Sequence, residues 1–211
     1  MPRGPVIGPL VVAGVKVRDD KLLIQNNVRD SKKIAPKRRE FLAKGIKKTA
    51  LKCETLVIPA SDIDDMRKVM TMNEIEVNAF VKIVKGLKPD ICYVDSSDVN
   101  EERFKNDILS GLSFKTEIVS KHKADDIYPV VGAASIIAKT TRDAKVREIE
   151  KKLRKKLDKP LGSGYPSDQI TREFLEEWMK EYGKLPPYTR RSWNTAKKLV
   201  KKYSTKSLDE F

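Results

Sequence analysis

The chain has 211 residues, 39% of them hydrophobic and 35% charged, so it suits one domain or a domain with a small appendage. No apolar run approaches the roughly 20 residues of a membrane span, and the N-terminus lacks the apolar stretch of a signal peptide, so we expect a cytoplasmic protein without a membrane segment. Two cysteines and one histidine exclude a disulfide scaffold and a histidine-based metal site, which leaves carboxylates as the ligands of any metal.

Predicted strands and helices alternate along most of the chain. In chain order we expect a strand at Pro9–Val17, a helix at Ala35–Lys48, a strand at Leu51–Ile58, a short helix N-capped by Ser61, a helix at Asn73–Leu87, a strand at Asp90–Asp95, a helix at Glu101–Leu112, a strand at Lys115–Ser120, one helix or two at Pro129–Leu157, and helices at Ile170–Tyr182 and Arg191–Tyr203. This alternation is typical of an α/β domain, and the all-helical end indicates an appended subdomain.

The net charge of +14 is distributed unevenly. Residues 1–50 hold 13 Lys and Arg against 4 Asp and Glu, residues 51–150 hold 15 against 18, and residues 151–211 hold 16 against 8. Basic ends around a carboxylate-bearing middle suit a polyanion that is handled at a metal site. A solvated, lysine-rich surface would give the same composition, so the charge favours a nucleic-acid ligand without proving one.

Two acids stand where predicted strands end. Asp95 closes a short apolar strand, and Asp125 lies between the strand at Lys115–Ser120 and the next helix. Because ligand sites of open α/β sheets gather at the carboxyl ends of strands, these side chains can converge on Mg²⁺ or Mn²⁺. Each acid also has an ordinary interpretation, as a turn former or as the acid of a helix start. Asp98 and Asp126 compete for the same roles.

Other segments carry features of nucleic-acid contact. Tyr165 lies in a Gly-Ser-Gly-Tyr-Pro loop, where it can stack on a sugar or base or simply close the edge of the core. Asp30–Lys33 and Pro36–Arg39 surround a helix start, which suits phosphate binding as well as it suits a solvated basic turn. Gly4, after Arg3, allows a close approach of the backbone to a ligand.

Taken together, the motifs resemble ribonuclease HII of the archaeal type. They are Arg3–Pro9, Asp30–Lys33, Tyr93–Asp95, His122–Asp125, Tyr128–Lys139, Gly162–Asp168 and Arg191–Trp193, and in this order they span essentially the whole chain. The resemblance implies a ribonuclease-H-like α/β fold with a mixed sheet flanked by helices over residues 1–157, and a C-terminal helical subdomain over residues 158–211. It implies an endonuclease that cuts the RNA strand of RNA–DNA hybrids and cuts at ribonucleotides embedded in duplex DNA.

The resemblance also assigns roles to residues. Asp95 and Asp125 would be two of four carboxylates that bind two ions, Mg²⁺ or Mn²⁺, for attack by an activated water. The substrate-binding residues would be Arg3 and Gly4 at the ribose 2′-hydroxyl, Tyr165 on the sugar, and Lys32, Lys33 and Arg38 on backbone phosphates. We expect a monomer whose partner is the nucleic acid.

The chain departs from the family at its start. The family begins with an apolar strand ending in Asp-Glu-Ala-Gly-Arg-Gly-Pro, and its Asp and Glu are the other two metal ligands, whereas this chain begins Met1-Pro2-Arg3. We therefore expect impaired cleavage by the chain as written, and improved cleavage after addition of such a strand. A basic RNA-binding structural protein is the alternative, and it would need no divalent ion for its function.

Overall fold

The computed structural model describes residues 4–25 and 35–206. Their strands are β1 (Leu10–Lys16), β2 (Lys52–Ile58), β3 (Ile91–Asp95) and β4 (Glu117–Lys121). Their helices are α1 (Lys21–Gln25), α2 (Pro36–Thr49), α3 (Ala60–Met66), α4 (Met72–Leu87), α5 (Glu101–Ser110), α6 (Ala124–Ile127), α7 (Pro129–Leu153), α8 (Gln169–Tyr182) and α9 (Asn194–Lys206). The predicted alternation of strands and helices, followed by a helical end, is confirmed.

The described residues form two compact units. The first comprises residues 11–25, 35–57 and 70–141, and the second comprises residues 4–10, 58–69 and 142–206. The predicted boundary after residue 157 concerns the family's domains and stays a prediction. No helix in the described ranges is both long and apolar enough to cross a membrane.

Two pairs of strands organise the first unit. β1 pairs with β2, and β3 runs parallel to β4 in a register that sets Ile91 beside Glu117 and Asp95 beside Lys121. One buried cluster joins the β3–β4 pair to the helices α4 and α5 through Val81, Val94, Phe104, Ile108 and Ile118. Because the two strands are parallel, their carboxyl ends meet at one edge, where the chain continues into α5 and α6.

A second buried cluster of the first unit lies among β1, α2 and α7. Its members are Val15, Leu23, Leu42, Ala43, Ile46, Ala133, Ile136 and Ile137. At Gly14 of β1, a Cβ atom would lie only 2.5 Å from the side chain of Ile83 on α4, so the strand needs glycine at this close approach.

The second unit is built around α8 and the end of α7. Its buried side chains are Val6, Ile7, Val146, Ile149, Leu153, Leu161, Phe174, Leu175, Trp178 and Ala196. The segment at residues 4–10 joins this core by an antiparallel bridge between Ile7 and Thr189 and by a 2.8 Å hydrogen bond from the Arg190 N–H to the carbonyl of Val6. The N-terminal segment is therefore held by the C-terminal part of the chain.

Several details differ from the sequence-based expectations, among them the short helices α1 and α6, which were not predicted. Pro59 rather than Ser61 is the N-cap of α3, since the helix already begins at Ala60. The last helix begins at Asn194 rather than Arg191, because the backbone amide of Arg191 donates to the carboxylate of Asp64 at 2.7 Å instead of entering the helix. The segment from Pro129 forms one helix that ends at Leu153, four residues short of the predicted end.

Candidate active site

Asp95 is placed by the ladder of β3 and β4. It is the last residue of β3, its side chain is half-buried, and the next residue, Ser96, continues the ladder with a 2.9 Å hydrogen bond to the carbonyl of Lys121. Its Oδ1 accepts the backbone N–H of Ala124 at 3.1 Å. The sequence predicted this position at a strand end, and the structure confirms it.

Asp125 follows directly on the residue that Asp95 contacts. It lies in the single turn of α6 and is 5% exposed. Lys123, just before this turn, adopts a left-handed conformation with φ 55°, which reverses the chain after β4. Since Asp95 is hydrogen-bonded to Ala124, the residue before Asp125, the structure places both predicted residues at the carboxyl ends of β3 and β4.

The loop between β4 and α6 is anchored by a residue that sequence reasoning missed. Glu101, at the start of α5, accepts the backbone N–H of His122 at 2.6 Å, and this hydrogen bond lowers the pKa of the Glu101 carboxyl. The imidazole Nε2 of His122 lies 3.2 Å from the carbonyl oxygen of Val99. Nothing in the sequence pattern separates Glu101 from the acids usually found in a first helical turn.

The competing acids have other surroundings. Asp98 is buried, and its carboxylate accepts two hydrogen bonds from the Arg103 guanidinium through Oδ2, at 2.7 and 3.1 Å, and one from the side-chain amide of Asn73 at 2.8 Å. The hydrogen bonds from Arg103 are the main reason why the pKa of Asp98 is lowered. Asp98 therefore fixes the loop before α5, whereas Asp126 is exposed.

Carboxylate oxygens are the donors that Mg²⁺ and Mn²⁺ prefer, so Asp95 and Asp125 fit a divalent cation chemically. Within residues 4–25 and 35–206, no group of three or more His, Cys, Asp or Glu side chains is arranged as a complete metal site. Two carboxylates by themselves do not complete the coordination of such an ion.

The Tyr165 loop belongs to the second unit and is held by backbone hydrogen bonds. Gly162 and Gly164 have φ values of 74° and 81°, in the region that favours glycine. The carbonyl of Gly164 accepts the N–H groups of Val6 and Ile7 at 2.8 and 3.2 Å. A Cβ atom at Gly164 would lie 2.7 Å from the carbonyl oxygen of Ile7, so the two segments touch through their backbones.

Asp168 closes the same loop from its other end. One oxygen of its carboxylate accepts the Ser163 N–H at 2.6 Å and the Ser163 hydroxyl at 2.7 Å, while the other accepts the Ile170 N–H at 3.1 Å and caps α8. The hydrogen bond from the Ser163 backbone is the largest cause of the lowered pKa of Asp168. The loop conformation is therefore fixed independently of the tyrosine that it carries.

The ring of Tyr165 lies close to both Gly4 and Arg142. A Cβ atom at Gly4 would meet two ring carbons at 3.7 and 3.8 Å, and the guanidinium carbon of Arg142 lies 4.5 Å from the ring centroid. The side chain is half-buried and Gly4 is exposed. The structure therefore brings together Gly4 and Tyr165, two of the three residues that the resemblance links to the ribose.

The remaining predicted substrate residues are basic. Arg38 is exposed in the first turn of α2, with its guanidinium carbon 5.3 Å from the ring centroid of Phe41. Arg3, Lys32 and Lys33 lie outside the described residues. Arg142 was missed by sequence reasoning, because an arginine in a strongly charged helix gives no signal of burial.

Comparison with known proteins agrees with this geometry. The ribonuclease H2 structure from Pyrococcus horikoshii OT3 matches with a TM-score of 0.85 and 40% identity, over 96% of this chain and 94% of that chain. The ribonuclease HII of Archaeoglobus fulgidus, solved in a complex with PCNA, matches with a TM-score of 0.86 and 40% identity, over 94% and 93% of the two chains. The α/β fold is therefore that of the ribonucleases H.

The sequence comparisons are more specific. The family model of ribonuclease HII matches residues 2–196, and the ribonuclease HII of Thermococcus kodakarensis is 45% identical over 212 residues, which cover 99% of this chain and 90% of that protein. The chain belongs to the ribonuclease HII family, which consists of hydrolases of the ribonuclease H type that use divalent metals.

Proposed function

We propose that the chain is an endonuclease that cuts the RNA strand of RNA–DNA hybrids and cuts at single ribonucleotides in duplex DNA. The observation that carries the proposal is the hydrogen bond from the Ala124 N–H to the Asp95 carboxylate, which places Asp95 beside the residue before Asp125 at the carboxyl ends of β3 and β4. The family match and the net charge of +14 support a polyanionic substrate.

In this proposal Asp95 and Asp125 hold divalent ions, Mg²⁺ or Mn²⁺. Such ions, when bound in pairs, activate a water and stabilise the leaving oxygen in phosphodiester cleavage. The chain's own contribution is positional. The Ala124 amide orients the Asp95 carboxylate, and the hydrogen bond between Glu101 and His122 holds the loop that leads into α6. The backbone before Asp125 is thereby fixed by hydrogen bonds to Asp95 at the end of β3 and to Glu101 at the start of α5.

Recognition of the ribose is assigned to Tyr165 and Gly4. The 2′-hydroxyl is the group that distinguishes RNA from DNA, and it can both donate and accept a hydrogen bond. Tyr165 offers a ring that packs on the sugar and a phenol hydroxyl, and exposed Gly4 offers backbone groups without a side chain in front of them. We assign backbone phosphates to Arg38, Lys32 and Lys33, and we assign Arg3, with Gly4, to the ribose 2′-hydroxyl. Action as a monomer in the cytoplasm and impaired cleavage stay predictions.

The test compares four substrates of one sequence: RNA–DNA hybrid, duplex DNA with one ribonucleotide, plain duplex DNA and duplex RNA. We expect cleavage of the first two only, in Mg²⁺ or Mn²⁺, with 3′-hydroxyl and 5′-phosphate products, and none in EDTA. Asp125→Asn should abolish this cleavage, while Asp126→Asn, its exposed neighbour, should not. Binding that EDTA leaves unchanged and that shows no preference for a ribonucleotide beside a DNA junction would instead favour an RNA-binding structural protein.

A further inference from the structure

Arg142 is a buried arginine stacked on the tyrosine of the candidate ribose site. Its side chain is 5% exposed, and its guanidinium carbon lies 4.5 Å from the centroid of the Tyr165 ring. A guanidinium is planar and weakly hydrated compared with an ammonium ion, so it can cover an aromatic face at a lower cost of desolvation. The flat, charged guanidinium of Arg142 thus packs over the Tyr165 ring.

The same guanidinium is tied to the backbone of the loop. Its Nη2 donates to the carbonyl oxygen of Ser163 at 2.5 Å, and its Nη1 donates to Asp143 at 3.3 Å. A Cβ atom at Gly164 would lie 3.3 Å from this Nη2. Arg142 therefore contacts the carbonyl of Ser163 and the Tyr165 ring itself, leaves little room at Gly164, and links the ring to the conformation of its loop.

The orientation of Arg142 carries a cost. Its Nε is buried and has no hydrogen-bond acceptor among the described residues. A buried donor without an acceptor is unusual in a folded protein and calls for a physical reason. The two Nη contacts and the stack over Tyr165 supply that reason, because together they dictate the plane of the guanidinium.

We propose that Arg142 is a positioning residue which holds the Tyr165 ring against Gly4 and thereby sets the preference for ribonucleotides over deoxyribonucleotides. The proposal rests on the assignment of Tyr165 to the ribose. A ring that is fixed before binding meets the sugar without an ordering cost, whereas a mobile ring does not. Arg142 acts through Tyr165 and needs no contact with the substrate.

The experiment measures binding, so it does not depend on cleavage. The dissociation constants of a labelled duplex with one ribonucleotide and of the matching DNA duplex are determined in Ca²⁺, and their ratio is the discrimination. Arg142→Lys keeps the charge but loses the planar fork, Arg142→Met keeps much of the volume, and Arg147→Lys is the control, an exposed arginine on the same helix. A cation–aromatic contact corresponds to a factor of about 2 to 30 in an equilibrium constant.

We expect both Arg142 variants to lower the discrimination by about 5- to 30-fold and to leave DNA binding nearly unchanged, with no effect of the control. In a Tyr165→Ala background, Arg142→Lys should cause no further loss. Equal loss on both duplexes, an additive loss in the double variant, or failure of both variants to fold would overturn the role of Arg142. Unchanged discrimination in Tyr165→Ala itself would overturn the assignment of Tyr165 and, with it, this inference.

Discussion

The two acids at the strand ends of the first unit, Asp95 and Asp125, and the Tyr165 loop of the second unit are positioned in different ways. Asp95 stands at the end of a regular strand, and the parallel ladder of β3 and β4 determines where its side chain emerges. Tyr165 stands in an irregular loop, and contacts with residues far away in sequence, Val6 and Ile7, fix the backbone beside it. A strand end can be recognised from local sequence, whereas such a loop depends on partners that local sequence does not name.

The hydrogen-bonding partners differ in the same way. Asp168 receives the backbone and the hydroxyl of Ser163, which turns a flexible Gly-Ser-Gly stretch into a defined platform. In the first unit, Asp98 stabilises the loop before α5 in a similar way, because its carboxylate accepts hydrogen bonds from Arg103 and Asn73. An acid that stabilises a loop and a candidate metal ligand can both follow a strand. Their hydrogen-bonding partners, and not this position, therefore distinguish them.

The largest effect that we expect is on hybrid cleavage, and it distinguishes Asp95, a candidate metal ligand, from Asp98, which stabilises a loop of the first unit. Asp95→Asn should lower the rate of hybrid cleavage by at least about 100-fold. Mutation of residues that only orient metal ligands typically lowers activity by roughly 10- to 100-fold, and we expect the loss of a ligand itself to exceed that. Asp98→Asn should lower the thermal stability, because it replaces the carboxylate that pairs with Arg103, while cleavage by the folded fraction should change much less. Rates in Mn²⁺ and melting curves of both variants test the pair. A larger catalytic loss in Asp98→Asn would exchange their roles.

The second effect concerns phosphate contacts. Binding to duplex should weaken with salt along a log–log slope of about −3 to −6, as expected for four to six contacts at about −0.9 each. Arg38→Gln should make the slope shallower by about 1, because one contact is lost. Lys184→Gln, which removes an exposed cation in the second unit, serves as the matched control. Fluorescence titrations from low to moderate salt measure the slope, and a flat response would show that the basic residues are merely solvated.

Much of the first unit could be predicted from sequence because its signals are local. β3 is a short apolar run that ends in an acid, and the helical period of α4 is plain in its sequence. The positions of Asp95 and Asp125 followed from these elements. The division into units could not be predicted, because it depends on residues 4–10 joining the C-terminal part of the chain.

The second unit was less predictable for a physical reason. Arg142 and Arg190 lie in strongly basic stretches, yet both are buried and lie over aromatic rings, those of Tyr165 and Trp193. Composition predicts solvated arginines there. Only the three-dimensional structure shows which of these cations face the core.

The third effect tests whether the Tyr165 loop is as rigid as its hydrogen bonds indicate. Asp168→Asn replaces a carboxylate that accepts the Ser163 N–H and hydroxyl through one oxygen and the Ile170 N–H through the other by an amide with a single accepting oxygen, so one of the two sides loses its acceptor. We expect the discrimination between ribonucleotide and deoxyribonucleotide duplexes to fall several-fold, together with the melting temperature. The dissociation constants in Ca²⁺ give this ratio. If only the stability falls, Asp168 caps α8 without shaping the loop.

The smallest effect comes from a cap in the first unit that no candidate site uses. Thr71 and Glu74 form a reciprocal capping box at the start of α4, with the Thr71 N–H donating to Glu74 at 2.6 Å. Thr71→Ala should cost about 1 kcal/mol of stability and lower the melting temperature by about 2–4 °C, without any change in discrimination. That outcome, set beside Asp168→Asn, would show that only the cap of α8 also serves recognition.

The pH dependence of the same cap gives an internal check. The hydrogen bond from the Thr71 backbone lowers the pKa of Glu74 in the folded protein, so its contribution is fully present above the unfolded pKa of about 4.3 and is lost as the pH falls through the folded value. The difference in melting temperature between Glu74→Gln and the parent chain should therefore be larger at pH 7 than at pH 3, because acid protonates Glu74 in the parent, whereas Thr71→Ala keeps the backbone N–H that Glu74 accepts. A difference that stays constant over this range would mean that the threonine hydroxyl, which accepts the Glu74 N–H at 3.2 Å, supplies the whole effect.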